Sequence, residues 1–501
     1  MSVATNRHRV PARVVDVVIL MVVVLAGLGC DRPSGVSWVQ ADGPNAAVTA
    51  AAMTKHQAAN QMLVREQTDT RTRPDWPRFL NKSYDGVAGI QRPQWQPSVD
   101  VDWQQTPVCL WSMALGEGYG LGVVRDGRYY HFDAHEGTER LRCLDAGTGQ
   151  EIWSQADRLL YRDMYGYEPG PRCSPTLAGD RIVTFGVAGR LSVRSVVDGT
   201  PQWSVDTNAD FGVVQNFFGV GSSPLVIGNT VIVMVGGSPA EDQDIAPGRL
   251  DRVASNGTLL VGFDLNSGER LWATGDDLAS YSSPRPMVID GRVCVLMFAR
   301  DQLHVIDAES GQHLGQVYHR AEILESVNAM VPVVDGNRVL VSDCYERGSV
   351  VFELSLREDA IQFDEVWRDP EGRRREQSLR SHLSTPVLID GFLYACSGRN
   401  APDSDFRCLE LATGKVRWTD LSRRRSTATR LGDVLLVLKE TGTLHIVAAD
   451  PKEYRELAQW DLSQSSQDRP ALRFPCWSAP VVAGDQIYVR GDRNLVVLAL
   501  P

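Results

Sequence analysis

A thirteen-residue pattern that recurs along the chain constrains its fold more than any other feature. Residues 141–153 read LRCLDAGTGQEIW, and residues 260–272 (LVGFDLNSGERLW) and 406–418 (FRCLELATGKVRW) repeat the same frame. Residues 303–315 keep the frame but end in glycine, and residues 191–203 keep the spacing without the aspartate. Each copy runs from an alternating apolar strand through a glycine-bearing turn to a large residue. This arrangement is typical of a β-hairpin.

The spacing of the copies predicts a β-propeller. Repeats at a period of about 40 to 50 residues indicate a propeller, a solenoid or an array. Units of four short strands favour the propeller, whereas a helical solenoid would show a period of 3.6 residues. The 44 glycines suit a chain of many turns. We therefore predict one large all-β domain, an eight-bladed β-propeller, over residues 108–501.

The last blade is incomplete in the sequence, and this predicts how the ring closes. Seven blades are expected at about 119–154, 172–206, 221–274, 281–318, 328–368, 382–420 and 427–462. The eighth begins at Ser478 and has room for only three strands, while the strand around Trp111 has no blade of its own. Because an open sheet leaves unpaired backbone edges, we expect the N-terminal strand to complete blade eight.

Tryptophans mark the outer end of most repeats. An indole buries roughly 150–250 Å², so one per blade at a fixed offset would seal each blade against its neighbour. Gly315 occupies the position where blade four lacks its tryptophan. The predicted structural markers are Trp111, Trp153, Trp203, Trp272, Trp367, Trp418 and Trp460.

Residues 1–30 have the pattern of an export signal. Three arginines precede an apolar run at 17–28, which is too short to span a bilayer comfortably. The run ends in Gly-Leu-Gly-Cys30, which resembles a bacterial lipoprotein box and predicts a lipid anchor on Cys30. Ordinary cleavage after the small residues is the alternative. We expect an exported protein on the periplasmic side of the cell envelope, with the choice of membrane left open.

Two segments separate this signal from the repeats. Residues 31–74 are polar and rich in alanine, and we interpret them as a tether. Residues 75–107 begin DWPRFLNKSYDGV, in which aromatic residues, proline and Asp-Gly predict a packed loop.

The repeats and the segment at 75–87 resemble the PQQ-like, or quinoprotein, β-propellers. The shared pattern is the tryptophan-docking motif, A-x-D-x-x-T-G-x-x-x-W, and the resemblance covers about residues 108–501. It implies that each docking tryptophan locks adjacent blades. The family includes pyrroloquinoline-quinone alcohol dehydrogenases and the BamB-like non-catalytic lipoproteins.

The signatures of quinone-dependent redox chemistry are missing from the sequence. No two cysteines are adjacent, and no C-x-x-C-H motif for a c-type haem is present. We therefore assign no catalytic, cofactor-binding or metal-binding residue. Some quinoproteins lack both features, so a PQQ- and Ca²⁺-dependent oxidoreductase without haem stays open as an alternative.

The segments that precede the inner strands are expected to ring the opening of the channel, where a ligand or partner would bind. They supply a polar and aromatic set: Tyr119, Arg172, Phe218, Tyr281, Arg285, Asn328, His382 and Trp477. Two basic runs, at 373–375 and 423–425, would contact an acidic partner or a phosphate, or else lie in exposed loops.

These observations favour a non-catalytic binding or scaffold protein of the cell envelope. Its expected partners are another envelope protein and, through the lipid on Cys30, a membrane. The net charge of −11 gives no general attraction to nucleic acid. We expect a monomeric propeller. The alternatives are the oxidoreductase and a carbohydrate-binding module that uses the aromatic loops.

Overall fold

The computed structural model describes residues 75–89, 98–105 and 107–501. Cys30, the export signal and the tether at 31–74 therefore lie outside the described residues. The described chain is almost entirely β-structure, arranged as eight four-stranded antiparallel sheets. The predicted eight-bladed β-propeller is confirmed. In the described part of the chain, no helix is long and apolar enough to cross a membrane.

The sheets follow the chain, and each is one blade. Blade one contains β2 (Val123–Arg125), β3 (Arg128–His135), β4 (Thr138–Asp145) and β5 (Glu151–Arg158). Blade two contains β6 (Thr176–Ala178), β7 (Arg181–Phe185), β8 (Arg190–Ser195) and β9 (Pro201–Asp206), followed by the short helix α1 (Thr207–Phe211). Blade three contains β10 (Leu225–Ile227), β11 (Thr230–Met234), β12 (Leu260–Asp264) and β13 (Arg270–Thr274). Blade four contains β14 (Arg285–Ile289), β15 (Arg292–Phe298), β16 (Gln302–Asp307) and β17 (His313–Tyr318).

The remaining blades repeat the arrangement. Blade five contains β18 (Val333–Asp335), β19 (Arg338–Asp343), β20 (Gly348–Arg357) and β21 (Ala360–Arg368). Blade six contains β22 (Val387–Ile389), β23 (Phe392–Ser397), β24 (Asp405–Glu410) and β25 (Val416–Asp420). Blade seven contains β26 (Ser426–Leu431), β27 (Val434–Lys439), β28 (Thr443–Ala448) and β29 (Glu456–Asp461). Blade eight contains β30 (Val481–Ala483), β31 (Gln486–Arg490), β32 (Asn494–Ala499) and the N-terminal β1 (Cys109–Ala114).

The pairing of β1 with β32 closes the ring. The two strands are antiparallel, with Trp111 opposite Val497 and Ala114 opposite Asn494. This pairing gives blade eight its outermost strand from the opposite end of the chain. It confirms the closure that the truncated last repeat predicted.

The antiparallel order of the strands gives the propeller two distinct ends. In blades one and two the first strand has three residues and is mostly buried, and the fourth alternates between exposed and half-buried positions. The connections into each first strand lie at the same end as those between second and third strands. We call this end the mouth of the channel. The turns that join first to second and third to fourth strands lie at the other end, which we call the base.

The docking tryptophans of seven blades, all except blade four, lie against the unit that follows them in the ring. Indole Nε1 of Trp111 donates a hydrogen bond to the Ala146 carbonyl of blade one at 2.8 Å. Four other markers form the equivalent bond to the next unit along the chain or ring: Trp203 to Leu265, Trp367 to Leu411, Trp418 to Asp450 and Trp460 to Trp103. The Trp153 and Trp272 rings pack against Gly199 and Gly311, but their buried Nε1 atoms have no partner among the described residues.

The repeated motif supplies the residues that form the turn under each indole, as the turn at residues 145–149 shows. Asp145 accepts hydrogen bonds from the backbone N–H groups of Gly147 and Thr148 and from the Thr148 hydroxyl. Gly149 then adopts a φ of 71°, and a Cβ at this position would lie 2.5 Å from the Trp111 ring. Glycine is therefore needed at this position for two reasons: the backbone has a positive φ, and the Trp111 ring lies too close for a Cβ.

Blade four shows why a marker tryptophan is missing. The β20–β21 hairpin of blade five is longer than its counterparts, and its Phe363 and Ile361 lie against Gly315. A Cβ on Gly315 would approach the Phe363 ring at 3.1 Å. The long hairpin thus occupies the space that an indole fills between other blades.

Blade eight has no turn between its third and fourth strands, because those strands come from opposite ends of the chain. Trp103, in the described segment 98–105, takes the place of that turn. Its carbonyl accepts the Trp460 indole N–H at 3.0 Å, and the two rings lie 6.3 Å apart. Trp103 is 1% exposed, so this contact belongs to the core.

Residues 75–89 cross the base of the channel. Trp76 pairs with Val124 of blade one, and Val87 pairs with Arg430 of blade seven. Between these anchors, Tyr84 lies under the Arg285 guanidinium of blade four at 5.7 Å. This segment is therefore packed inside the propeller as a bridge between inner strands.

A first prediction concerns the docking hydrogen bond. Phenylalanine at Trp203 or Trp272 keeps a ring on the glycine of the next turn but removes Nε1. Only Trp203 loses a hydrogen bond, to the Leu265 carbonyl. Denaturant titration should show a free energy of unfolding about 1 kcal/mol lower for Trp203→Phe than for Trp272→Phe. Equal losses would contradict a stabilising role for the bond.

A second prediction concerns pH. Glu139 of blade one is buried and accepts the Val187 N–H of blade two at 2.7 Å. Burial raises the pKa of Glu139 from 4.5 to about 7. Its stabilising contribution is therefore present below pH 4.5 and is lost as the pH rises through about 7. Glutamine keeps the acceptor without the charge, so Glu139→Gln should raise the thermal midpoint at pH 8 but not at pH 4. Glu136→Gln, at an exposed site, is the control, and a pH-independent effect of Glu139→Gln would contradict the account.

Candidate functional site

The structure brings most of the predicted binding residues together at the mouth. The Tyr119 and Trp477 rings, from blades one and eight, lie 5.3 Å apart. The Arg172 guanidinium lies 5.5 Å from the Tyr119 ring and 5.6 Å from the Phe218 ring. Phe218 then contacts Tyr281 at 5.6 Å. These contacts link blades eight, one, two, three and four into one arc.

Three residues outside the predicted set continue the arc through blades five, six and seven. Tyr345 meets the His382 ring edge-on at 5.7 Å, and the Arg399 guanidinium lies 4.9 Å from the Tyr345 ring. The Arg425 guanidinium lies 4.9 Å from the Trp477 ring. We call the whole set the mouth ring: Tyr119, Arg172, Phe218, Tyr281, Tyr345, His382, Arg399, Arg425 and Trp477.

Sequence reasoning missed these three residues for a topological reason. Tyr345 and Arg399 lie in connections between second and third strands, which reach the mouth because the blades are antiparallel. The predicted binding residues came only from the segments before the inner strands. Arg425 was recognised as part of a basic run, and its position next to β26 was the available signal.

Two predicted residues do not join the mouth ring. Asn328 is 1% exposed, and its Nδ2 donates to the carbonyls of Ala299, Arg300 and His319. It therefore stabilises the loops behind Tyr281. Arg285 is the first residue of β14 and turns into the channel against Tyr84. Arg285 is 6% exposed, so its side chain lies inside the channel and not at the opening where we expected it.

The connection between β5 and β6 is held rigidly at the mouth. Asp163 accepts the backbone N–H groups of Tyr165 and Tyr167 at 2.9 and 3.1 Å. Its second oxygen accepts the Arg172 Nη2 at 2.8 Å, while Arg172 Nε donates to the Phe218 carbonyl. One buried carboxylate thus fixes both the loop and the arginine of the ring.

This loop presents an exposed aromatic surface beside the ring. Tyr165 and Tyr167 are 54% and 60% exposed, and both rings pack on Phe218, at 5.8 and 6.0 Å. Met164 is 42% exposed next to them. We call Met164, Tyr165 and Tyr167 the aromatic rim. Apolar side chains that are fixed in place yet accessible are typical of a protein-binding surface.

The carboxylates near the ring are already engaged. Glu168 accepts the Gly118 N–H and forms an ion pair with Arg493 at 2.8 Å, and burial raises the pKa of Glu168 to about 7. Glu440 accepts the Trp477 indole N–H at 3.2 Å. His382 is neutral, because burial and the nearby Arg425 and Arg399 lower its pKa to about 3. Among the described residues of the mouth, the His382 imidazole is hydrogen-bonded to Tyr345 and to no serine, threonine or cysteine side chain.

The described residues show no cluster of metal-ligating side chains. Calcium needs several oxygen ligands around one point. Within residues 75–89, 98–105 and 107–501, no group of three or more His, Cys, Asp or Glu side chains is placed to hold a metal ion. The Arg285 side chain inside the channel is stacked on Tyr84.

The fold and the repeats define the class: an eight-bladed β-propeller of PQQ-like repeats with docked tryptophans. A family model described as outer membrane protein assembly factor BamB matches residues 101–249 and 240–420, which is more than half of the chain. The chain belongs to this family. No curated protein matches its sequence.

Two solved structures illustrate the range of similar propellers. BamB from Moraxella catarrhalis is 15% identical with a TM-score of 0.49, over 79% of this chain and 98% of that one. Quinohemoprotein alcohol dehydrogenase from Comamonas testosteroni is 12% identical with a TM-score of 0.55, over 88% of this chain and 85% of that one. At such low identity, the second similarity shows the shared fold alone.

A prediction tests the role of Asp163. Asp163→Asn removes the charge that pairs with Arg172 while keeping the shape of the side chain. We expect faster amide hydrogen exchange at Tyr165 and Tyr167, with little change in exchange of the blade strands. Asp180→Asn, which alters an exposed surface pair with Arg181, serves as the control. Unchanged exchange at both tyrosines would contradict the anchoring role.

Proposed function

We propose that this protein is a non-catalytic, protein-binding scaffold of the bacterial cell envelope. The observation that carries the proposal is the mouth of the channel, where the exposed aromatic rim packs on a mostly half-buried mouth ring of tyrosine, tryptophan, phenylalanine and arginine. These residue types are enriched in the energetically important parts of protein interfaces. The aromatic rim adds apolar area that a protein partner would bury.

The chemistry of the same surface supports binding over catalysis. General acid–base or nucleophilic catalysis needs a side chain within hydrogen-bond reach of a reacting atom and able to exchange a proton. At the mouth, Asp163, Glu168 and Glu440 each hold a structural partner. Their interactions fix the loops, which suits a preorganised binding face.

The proposed location rests on the N-terminal sequence and on the family. The export signal and Cys30 would place a lipid anchor at the membrane, and the tether at 31–74 would hold the propeller away from it. The family is described as an outer membrane protein assembly factor. We propose the same class of work for this chain, namely contact with another envelope protein during such assembly.

Photo-cross-linking in native envelopes tests the proposal. A cross-linking amino acid replaces Tyr167 of the aromatic rim or, as the matched control, Val197, which is 65% exposed in the β8–β9 turn at the base. We expect a discrete cross-linked protein from position 167 and none from position 197. Cross-links from the base alone, or from neither position, would contradict a binding face at the mouth.

A calorimetric titration of the purified protein with pyrroloquinoline quinone, with and without Ca²⁺, tests the competing function. We expect no binding heat and no change in the thermal midpoint. Stoichiometric, Ca²⁺-dependent binding would overturn the scaffold proposal in favour of a quinone-dependent oxidoreductase.

A further inference from the structure

A small cleft in the mouth lies between blades six, seven and eight. It encloses about 250 Å³ of space, part of which is open to solvent, and it is lined by residues from the connections into β22, β26 and β30, from the start of β26 and from the end of β23. The residues that matter for its chemistry are His382, Arg425, Ser426, Thr427 and Trp477. We call it the arginine cleft, because Arg425, the last residue of the basic run at 423–425, lines it.

Two guanidinium groups lie at the arginine cleft. Arg425 lies on the Trp477 ring, its Nε and Nη2 donate to the Arg399 carbonyl at 3.1 and 2.5 Å, and Nη2 also donates to Asn400 Oδ1. Arg399 is exposed and lies on the Tyr345 ring. Among the described residues, neither guanidinium forms an ion pair, although Glu440 is near enough to act on Arg425 electrostatically, and Arg425 Nη1 makes no hydrogen bond. By contrast, neighbouring Arg380 and Arg407 are paired with Asp403 and Asp405. Arg425 is thus held in place with Nη1 free, and the Arg399 guanidinium is exposed beside it.

Polar atoms inside the cleft also lack partners. His382 Nδ1, Ser426 Oγ and Thr427 Oγ1 are buried and make no hydrogen bond with the described residues. Ser426 is 1% exposed and Thr427 is 7% exposed. Buried hydroxyl groups normally find a partner, because an unmade hydrogen bond is costly. Next to two unpaired guanidiniums, these donors suit an acceptor-rich, negatively charged group.

The surrounding charge favours a short ligand over an extended anionic surface. The whole chain carries a net charge of −11, so a sheet of anionic lipid headgroups would meet a repulsive field. Arg425 lines the cleft and Arg399 lies close enough to act on its His382, while Arg423 and Arg424 come just before Arg425 in the chain. The Trp477 ring offers an apolar face to the carbon atoms of a side chain.

We propose that the arginine cleft binds the carboxylate of an acidic peptide segment of a protein partner. A carboxylate can accept N–H donors from Arg425 Nη1 and from the exposed Arg399 guanidinium, whose planar fork matches the two carboxylate oxygens. Ser426 and Thr427 would donate to the remaining lone pairs. The inference rests on the proposed scaffold function and adds to it the chemistry that the partner must display.

The test uses the purified full chain and a labelled peptide of alternating glutamate and serine, with a glutamine–serine peptide for comparison. Fluorescence anisotropy should show saturable binding of the glutamate peptide alone. Arg425→Gln and Arg399→Gln should each weaken binding about tenfold or more, which corresponds to about 1.4 kcal/mol. Thr427→Val should weaken it by a smaller factor. Arg375→Gln makes the same charge change at an exposed position of the other basic run and should leave binding unchanged.

Several outcomes would overturn the proposal: no binding of the glutamate peptide, equal losses for Arg375→Gln and Arg425→Gln, or binding of anionic phospholipid vesicles in place of the peptide. Cross-linking at Tyr167 tests the proposed scaffold function independently of the carboxylate-binding proposal. A cross-linked partner with no glutamate-peptide binding would remove the cleft proposal and leave the scaffold. Loss of both signals would remove both.

Discussion

The structure depends on the pairing of its first strand with its last. The eighth sheet has four strands only because β1 pairs with β32. Without β1, the backbone edge of β32 would be unpaired. β1 satisfies that edge and also carries Trp111, whose indole is hydrogen-bonded to Ala146 in blade one. The same strand therefore completes blade eight and locks it to its neighbour. Trp103, just before β1, joins blade eight to blade seven, because its carbonyl accepts the indole N–H of Trp460.

The docking turns and the mouth ring lie at opposite ends of the closed propeller. The docking turns, with their aspartate and glycine, all lie at the base, where the segment at 75–89 also crosses the channel. The mouth is made of connections that the repeat does not specify, so their sequences are free to vary. This explains why arginine and aromatic residues collect there, and why their contacts run from blade to blade around the opening.

The sequence predicted the parts of the fold that are local and repeated. Blade number, the docking role of the tryptophans and closure by the N-terminal strand all follow from a frame that can be counted along the chain. Contacts that occur only once in the propeller could not be predicted from the repeats. They are the packing of Phe363 against Gly315, the stacking of Tyr84 under Arg285, and Trp103 in place of a missing turn. The candidate site was predicted in part. Residues before the inner strands could be placed at the mouth, whereas Tyr345 and Arg399 belong to loops whose approach depends on the whole antiparallel blade.

Amide hydrogen exchange of β1 tests the central claim most directly. If the pairing with β32 closes the ring as one cooperative unit, the bonded amides of β1 should exchange as slowly as those of β31 and β32, through global unfolding. Fast exchange of β1 beside protected β31 and β32 would contradict the account, because it would show a ring that holds together without its closing strand.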